Sequence, residues 1–344
     1  MEIKSLPSPE LDYESFLAGH THLLIHTLAY KKFIEAAFGC TYHLVAAVEH
    51  HKIKTVFPFV EVKSTLFGSK IISSAYLEYG SFAGEESGVD LILKYLTENY
   101  SAQFGHLEIR AGLDQFDDAL SSKLVKKNLY RRFVLPLPSE KQVWQNIQHS
   151  KRKAINKALR GVEVKDVPLS ELSELYQVYS ENMRRFGSPP YNTQYFISFY
   201  QNLVDLGLGK VFGSYHQGKL ISALLGLCYQ DRVHIIIAVS DQKYQELRPN
   251  DAMHWAFIQW SCQQGYQFFD FGRVRENSGQ YEYKQKWGPT LLELPSYFLL
   301  WKDSEISFTD PSSPKYKLAL RLWQKMPLKL TQVMGMRLRK GLGI

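Results

Sequence analysis

Apolar and polar positions follow two rhythms along this chain, and the order in which the rhythms alternate occurs twice. Apolar residues three and four apart predict a helix over Ile25 to Phe38. Runs rich in β-branched and aromatic residues follow. They predict strands over Tyr42 to Val48 and Ile53 to Val62, joined by a polar turn at Glu49 to Lys52, and a third strand over Lys70 to Tyr76. Val89, Ile92, Leu93 and Leu96 then mark one helical face within Gly88 to Phe104, and His106 to Arg110 reads as a short strand. The second half repeats the series. Thr193 to Leu206 predicts a helix, and Lys210 to His216, Lys219 to Cys228 and Arg232 to Ser240 predict three strands. Gln217–Gly218 and Gln230–Asp231 supply the hairpin turns. A helix is expected over Asp251 to Gln264, capped by Asn250 after Pro249, and then a strand over Gln267 to Phe271. The two series are offset by about 165 residues, which points to an internal duplication at the level of element order.

Between the copies, Ser139 with Gln142 forms a capping box for a helix from Glu140 to Arg160, and Gly161 ends it. A strand over Val162 to Lys165 and a helix over Glu171 to Phe186 come next, then a Gly187–Pro190 loop. The expected division is a first domain over 1–138, a second over 139–303, and a linker with a helical tail over 304–344. At 344 residues two domains are also what length suggests, at roughly 150 residues each. The fold class is α/β with mixed sheets.

Charge changes this picture at one end only. The net charge is +7, but Lys315, Lys317, Arg321, Lys325, Lys329, Arg337, Arg339 and Lys340 lie after Pro311 with no acid among them. The chain is therefore a near-neutral body with a basic tail. Within the tail, Tyr316, Ala319, Leu320, Trp323 and Met326 share a helical stripe, with Lys317, Arg321 and Lys325 on another face. Such a helix either folds back on a domain or makes a peripheral contact with an anionic membrane through 315–344. No apolar stretch is long enough to span a bilayer. The acidic opening MEIKSLPSPELDYESFLAGH is no signal peptide, so the expected location is cytoplasmic, with the tail able to reach the inner membrane surface. Cys40, Cys228 and Cys262 are too few and too far apart for a disulfide framework. His20, His22 and His26 fit no metal-ligand spacing, and no nucleophile, phosphate-loop or dinucleotide motif is present.

Two segments carry a resemblance. Asp270-Phe271-Gly272-Arg273, followed by Ser278-Gly279-Gln280-Tyr281-Glu282-Tyr283-Lys284-Gln285-Lys286-Trp287-Gly288, resembles the C-terminal signature of FemABX-type peptidoglycan aminoacyltransferases. It is closer still to the FemAB-related GNAT-like proteins found with exopolysaccharide and PEP-CTERM export systems. The basic run Lys151 to Ala158, with Gly161-Val162-Glu163-Val164 behind it, is similar to the helix, glycine and strand that open the second domain of those proteins. The resemblance spans roughly residues 10 to 300 and implies two tandem GNAT-like domains. It implies transfer of an acyl or aminoacyl group to an amine of an envelope or glycan precursor. No permanently bound cofactor is implied; the donor would be aminoacyl-tRNA or an acyl thioester. The alternatives are an acyl-CoA-dependent N-acyltransferase and a non-catalytic scaffold that binds a glycan precursor or an export complex. Two departures stand out. No long charged helical insertion is present to serve as a tRNA-contacting arm. The glycine loop that cradles acetyl-CoA pyrophosphate is replaced by Glu246-Leu247-Arg248-Pro249-Asn250-Asp251-Ala252, in which proline lacks a donor and Asp251 brings a negative charge.

The resemblance places Lys284 at the active site, where it could stabilise an oxyanion or a donor phosphate; the alternative is a solvated lysine beside Lys286. Asp270, inside an aromatic strand, is a candidate general base or a structural acceptor for Arg273 or Arg110. Tyr281 could donate to an oxyanion or simply pack by its ring. Arg273 suits a phosphate or carboxylate, or an ion pair with Asp270 or Glu276. Lys151, Arg152, Lys153, Lys157 and Arg160 could grip a diphosphate or a tRNA acceptor stem, or could be a solvated face. Arg184 and Arg185 offer a further substrate-binding rim.

Overall fold

The computed structural model describes residues 1–111, 114–306 and 314–343. In chain order they form β1 (Glu2–Ser5), α1 (Tyr13–Gly19), α2 (Leu28–Phe38), β2 (Tyr42–Glu49), β3 (Lys52–Val62), β4 (Lys70–Ile72), β5 (Ala83–Gly84), α3 (Val89–Tyr100), β6 (His106–Arg110), α4 (Asp117–Ser121) and β7 (Val125–Pro136). Next come α5 (Glu140–Asn146), α6 (His149–Ala158), β8 (Glu163–Asp166), α7 (Leu172–Arg185), α8 (Thr193–Phe199), β9 (Gly209–His216), β10 (Lys219–Tyr229) and β11 (Arg232–Ser240). The chain continues with α9 (Pro249–Gln263), β12 (Phe268–Val274), α10 (Gly279–Gln285), β13 (Thr290–Leu300), α11 (Pro314–Lys325) and α12 (Leu328–Leu342).

These elements divide into two compact units, Met1–Leu129 with Leu294–Phe308 and Leu338–Ile344, and Tyr130–Glu293 with Thr309–Arg337. In the first unit the strands lie in the order β1-β2-β3-β4-β6-β13, with β5 on β3. In the second the order is β7-β12-β11-β10-β9-β8. Each unit has one parallel pair, β4 with β6 and β11 with β12. The duplication is therefore present in three dimensions as the series α2-β2-β3-β4-α3-β6 and α8-β9-β10-β11-α9-β12.

The expected boundary at 138 is corrected by two exchanged strands. β7 follows the first series but pairs with β12 of the second unit; β13 follows the second series but pairs with β6 of the first. Leu294–Phe308 consequently folds with the first unit. Each parallel pair leaves the outer edge of its last strand open, and an antiparallel partner satisfies that row of backbone groups. Of the linker expected over Phe308 to Pro314, residues Phe308 to Ser313 lie outside the described residues, and Pro314 begins α11.

Each unit closes on its own core. Phe57, Phe59, Ile92, Leu96, Leu107 and Tyr297 fill the first, and Leu224, Ile235, Met253, Phe257, Phe269 and Trp287 the second. Burying one such side chain stabilises by about 2–3 kcal/mol, which outweighs any single helix propensity here.

Packing also explains three local differences. The helix expected over Glu140 to Arg160 is two helices, because Ile147 takes an extended ψ of 133° and is buried. The third strand of the first series stops at Ile72, since Ser73 to Phe82 forms a buried loop in which Gly80 bridges to Arg110. Helix α9 begins at Pro249, with Arg248 as its left-handed cap at φ 56°, so Asn250 lies inside the first turn rather than capping it. Ser139 does cap its helix, accepting the N–H of Gln142.

Candidate functional site

The site grows from a parting of strands in the second unit. β11 and β12 pair over three residues, Arg232–His234 against Phe268–Asp270, and no further. Immediately beyond, β12 bulges. Asp270 faces Val134 and Arg273 faces Arg132 on β7, so Phe271 and Gly272 stand opposite Phe133 alone. Gly272 makes the bulge possible with φ 74°, a region in which a side chain would be strained.

Two side chains clasp this bulge. The buried Asp270 carboxylate accepts the N–H of Gly272 at 2.8 Å and an N–H of Arg132 at 3.3 Å. From α10, Lys284 Nζ donates to the carbonyls of Arg273 at 2.9 Å and Gly272 at 3.3 Å. Asp270 therefore holds Arg132 of β7. The other acid expected for Arg273, Glu276, accepts from Arg131 at 2.9 Å. The guanidinium of Arg273 lies 4.8 Å from the Tyr130 ring centroid. Arg110 belongs to the first unit, bonded to Glu108 and to the carbonyls of Ser74 and Leu77.

The rest of α10 faces a buried ionic cluster. Lys151 of α6 is 2% exposed, and its Nζ lies 2.7 Å from Asp251 Oδ1 at the start of α9. Arg248 Nε reaches the other oxygen at 2.8 Å. Tyr283 and Trp287 wall in the lysine, with ring centroids 3.7 and 5.1 Å from Nζ. Burial lowers the Lys151 pKa against the opposing pull of Asp251. Burial, with Asp251 beside it, pushes the Tyr283 phenol well above its ordinary range. Next to them is His254, 5% exposed, with its ring among Phe271, Tyr283 and Trp287. Burial drops its pKa to about 4, so the imidazole is neutral at pH 7. Its Nδ1 lies 2.7 Å from the Asn250 carbonyl, which fixes the proton there and leaves Nε2 as the basic nitrogen.

Four residues of the signature motif thus have a structural role. Tyr283 and Trp287 enclose Lys151, Lys284 secures the bulge, and the Lys286 carbonyl accepts the N–H of Gln148 between α5 and α6. The sequence reading selected Lys284, Asp270, Arg273 and Tyr281 within this region. Tyr281 packs edge-on against Phe133 at 5.0 Å. The same reading missed His254, Tyr283 and Arg132. The one available signal was a histidine and an acid three residues apart, Asp251 and His254, in the first turns of a helix after a buried strand.

Other expected site residues are placed elsewhere or otherwise occupied. Lys151 is no part of a solvated basic face; its charge is spent internally on Asp251. Arg152 donates to the carbonyls of Trp144 and Gln145, closing the end of α5. Lys153, Lys157 and Arg160 are exposed on α6 and just beyond it. Arg184 and Arg185 sit at the end of α7 against α11: Arg184 donates to the Met326 carbonyl, and the Arg185 carbonyl accepts from Gln324. The structure does not bring them to the α10 cluster as a rim. The charge argument about Asp251 is also revised, because two cations already neutralise it.

Residues 145–285 match the acetyltransferase (GNAT) domain family. No curated protein matches the sequence. Among solved structures, the chain is similar to FemX, with TM-score 0.69, 13% identity, and coverage of 88% of this chain and 98% of FemX. It is also similar to L-PGS from Bacillus licheniformis, with TM-score 0.57, 16% identity, and coverage of 95% and 100%. A tandem GNAT protein from the clavulanic acid biosynthesis pathway gives TM-score 0.55 at 8% identity, covering 88% and 100%. The chain therefore shares its fold with FemX and with a tandem GNAT protein.

Proposed function

We propose that this protein transfers an acyl or aminoacyl group to an amine on a cell-envelope or glycan precursor, with aminoacyl-tRNA as the donor the site fits better. The observation that carries the reading is the clasped bulge of β12 beside the parted end of β11, with Lys284 fixed on it, inside the segment that matches the GNAT domain. The likeness to FemX and to L-PGS supports an envelope acceptor.

The reaction requires the acceptor amine to lose a proton and attack the donor carbonyl. The tetrahedral oxyanion then collapses and expels the ribose hydroxyl of the tRNA, or a thiol if the donor is a thioester. His254 offers an unprotonated Nε2 for the proton. Lys284 supplies a fixed positive charge at the end of β12, of the sign an oxyanion or a phosphate needs. The second donor class, acyl-CoA, is favoured by the GNAT match. Against it stands the start of α9, where Asp251, Lys151 and Arg248 occupy the place in which a pyrophosphate would be cradled.

The test is to incubate the protein with labelled aminoacyl-tRNA or acyl-CoA and a panel of UDP-linked amino sugars and amino lipids, with products read by mass spectrometry. Transfer from aminoacyl-tRNA that is lost in Lys284→Ala is expected. Absence of product with every donor, from protein shown to be folded, would replace the reading with the scaffold.

A further inference from the structure

The tail resolves into two helical faces with different fates. The stripe singled out from the sequence turns inward where its side chains are described: Trp323 is buried, Leu320 and Met326 are half-buried, and Ala319 is exposed. Leu320 packs where Gly187, at φ 71°, leaves room; a Cβ there would come within 2.6 Å of it. Helix α12 is fixed in the same way, with Thr331 and Gly335 buried and Gly335 against Pro190.

The opposite face of each helix is apolar as well. Leu318 and Leu322, one turn apart on α11, are each 59% exposed, and on α12 Leu330 is 44% and Val333 79% exposed. Single exposed leucines are ordinary on a protein surface. Four such residues on two consecutive helices whose other faces are anchored are not, because packing has already used the inward stripe. The charges around them have one sign. Lys317, Arg321 and Lys325 lie within a turn of Leu318 and Leu322, Lys329 and Arg337 flank Leu330 and Val333, and all five are exposed. There is no acid in the sequence from 311 to 344.

We propose that the outward face of α11 and α12 docks on an anionic bilayer surface, leucines and valine in the acyl boundary and lysines and arginines at the headgroups. The combination selects this partner. A nucleic acid would use the cations and have no use for the aliphatic side chains, whereas an apolar protein groove would use the aliphatic side chains and leave the cations without partners. The inference is independent of the transfer reaction and stands or falls separately from it.

The test is vesicle co-sedimentation of the full chain with phosphatidylglycerol mixed into phosphatidylcholine, or with phosphatidylcholine alone, at low and high salt. Two variants accompany it: Leu318→Gln/Leu322→Gln/Val333→Gln, and Arg321→Gln/Lys325→Gln/Lys329→Gln. All the altered side chains are exposed, so unchanged melting temperatures are expected. Binding should require the anionic lipid and weaken at high salt. It should fall at least about tenfold in the aliphatic variant and about fivefold for each cation removed. Several results would overturn the proposal: no pelleting of the parent chain, equal pelleting on neutral vesicles, or equal pelleting of either variant. The same holds for retention of tRNA that depends on the cations but not on the aliphatic residues, with no vesicle binding, and for a dimer that the aliphatic variant dissolves with no vesicle binding.

Discussion

Lys151 and Asp251 are one hundred residues apart in the chain and 2.7 Å apart in the fold, and both are nearly sealed from water. The pair joins α6 to the first turn of α9, and Tyr283 and Trp287 bring α10 onto the same point. Three helices of the second unit are thus tied through one ion pair, and Lys284 links the third of them, α10, to the strand bulge.

Removing one partner should be costly. In Lys151→Met, the cation left beside Asp251 is Arg248, whose side chain is 48% exposed, so about 3 kcal/mol of stability should be lost. Arg248→Ala should cost no more than about 1 kcal/mol, because the exposed half of the cluster is screened by solvent. The double variant Lys151→Met/Asp251→Asn should recover part of the loss. Urea unfolding of the three proteins checks the order; equal costs for Lys151→Met and Arg248→Ala would contradict the burial argument.

Acid should unfold the protein through its neutral histidines. His26 and His254, one in each unit, both have pKa values lowered from 6.5 to about 4, with burial the largest cause. Below pH 6.5 the unfolded chain takes up these protons first, so the stabilisation is complete above 6.5 and is lost as pH falls toward 4. Each histidine accounts for up to about 3 kcal/mol across that window. Unfolding curves at a series of pH values should show the loss, and His254→Gln should flatten the part that belongs to the second unit. A stability constant from pH 7 to 4 would refute this.

The extent to which the chain announces this architecture is decided by range. The repeated order of helices and strands is legible because periodicity is local, as at Val89, Ile92, Leu93 and Leu96. Lys284 was found through its motif. The exchange of β7 and β13 was not legible, because their residues specify a strand and a buried face but not which neighbour completes the ladder. Asp270 was recognised as a buried acid in need of a partner; that the partner is Arg132, 138 residues earlier, follows only from that exchange. His254 was overlooked because its environment comes from Phe271, Tyr283 and Trp287, which reach it from other elements.

Lys284 should prove to be both structural and functional. Its two bonds to the bulge carbonyls are charge-assisted, so Lys284→Ala should lower stability by roughly 1–2 kcal/mol, as well as abolish transfer. Lys284→Arg separates the roles, since it keeps the charge and donors but changes their placement. Stability near the parent with transfer strongly reduced would assign the geometry of the ammonium to the reaction. Full transfer by Lys284→Ala at a temperature where it remains folded would remove the lysine from the mechanism.

The start of α9 gives the sharpest statement about the donor. A pyrophosphate is held at a helix N-terminus by successive backbone N–H groups and the positive end of the helix dipole. Here the first helical residue is Pro249, which has no N–H, and the first-turn acid Asp251 already takes up the nearby cations Lys151 and Arg248. A CoA diphosphate would have to displace that buried carboxylate from both partners. Acetyl-CoA should therefore bind no tighter than about millimolar, near −4 kcal/mol. Calorimetry on the parent protein checks this, and a second chain, Pro249→Gly/Asp251→Gly, gives the control: if it stays folded, exposing the N–H groups and freeing the two cations should strengthen CoA binding. Micromolar binding by the parent would establish a thioester donor and a cradle at another place in the second unit.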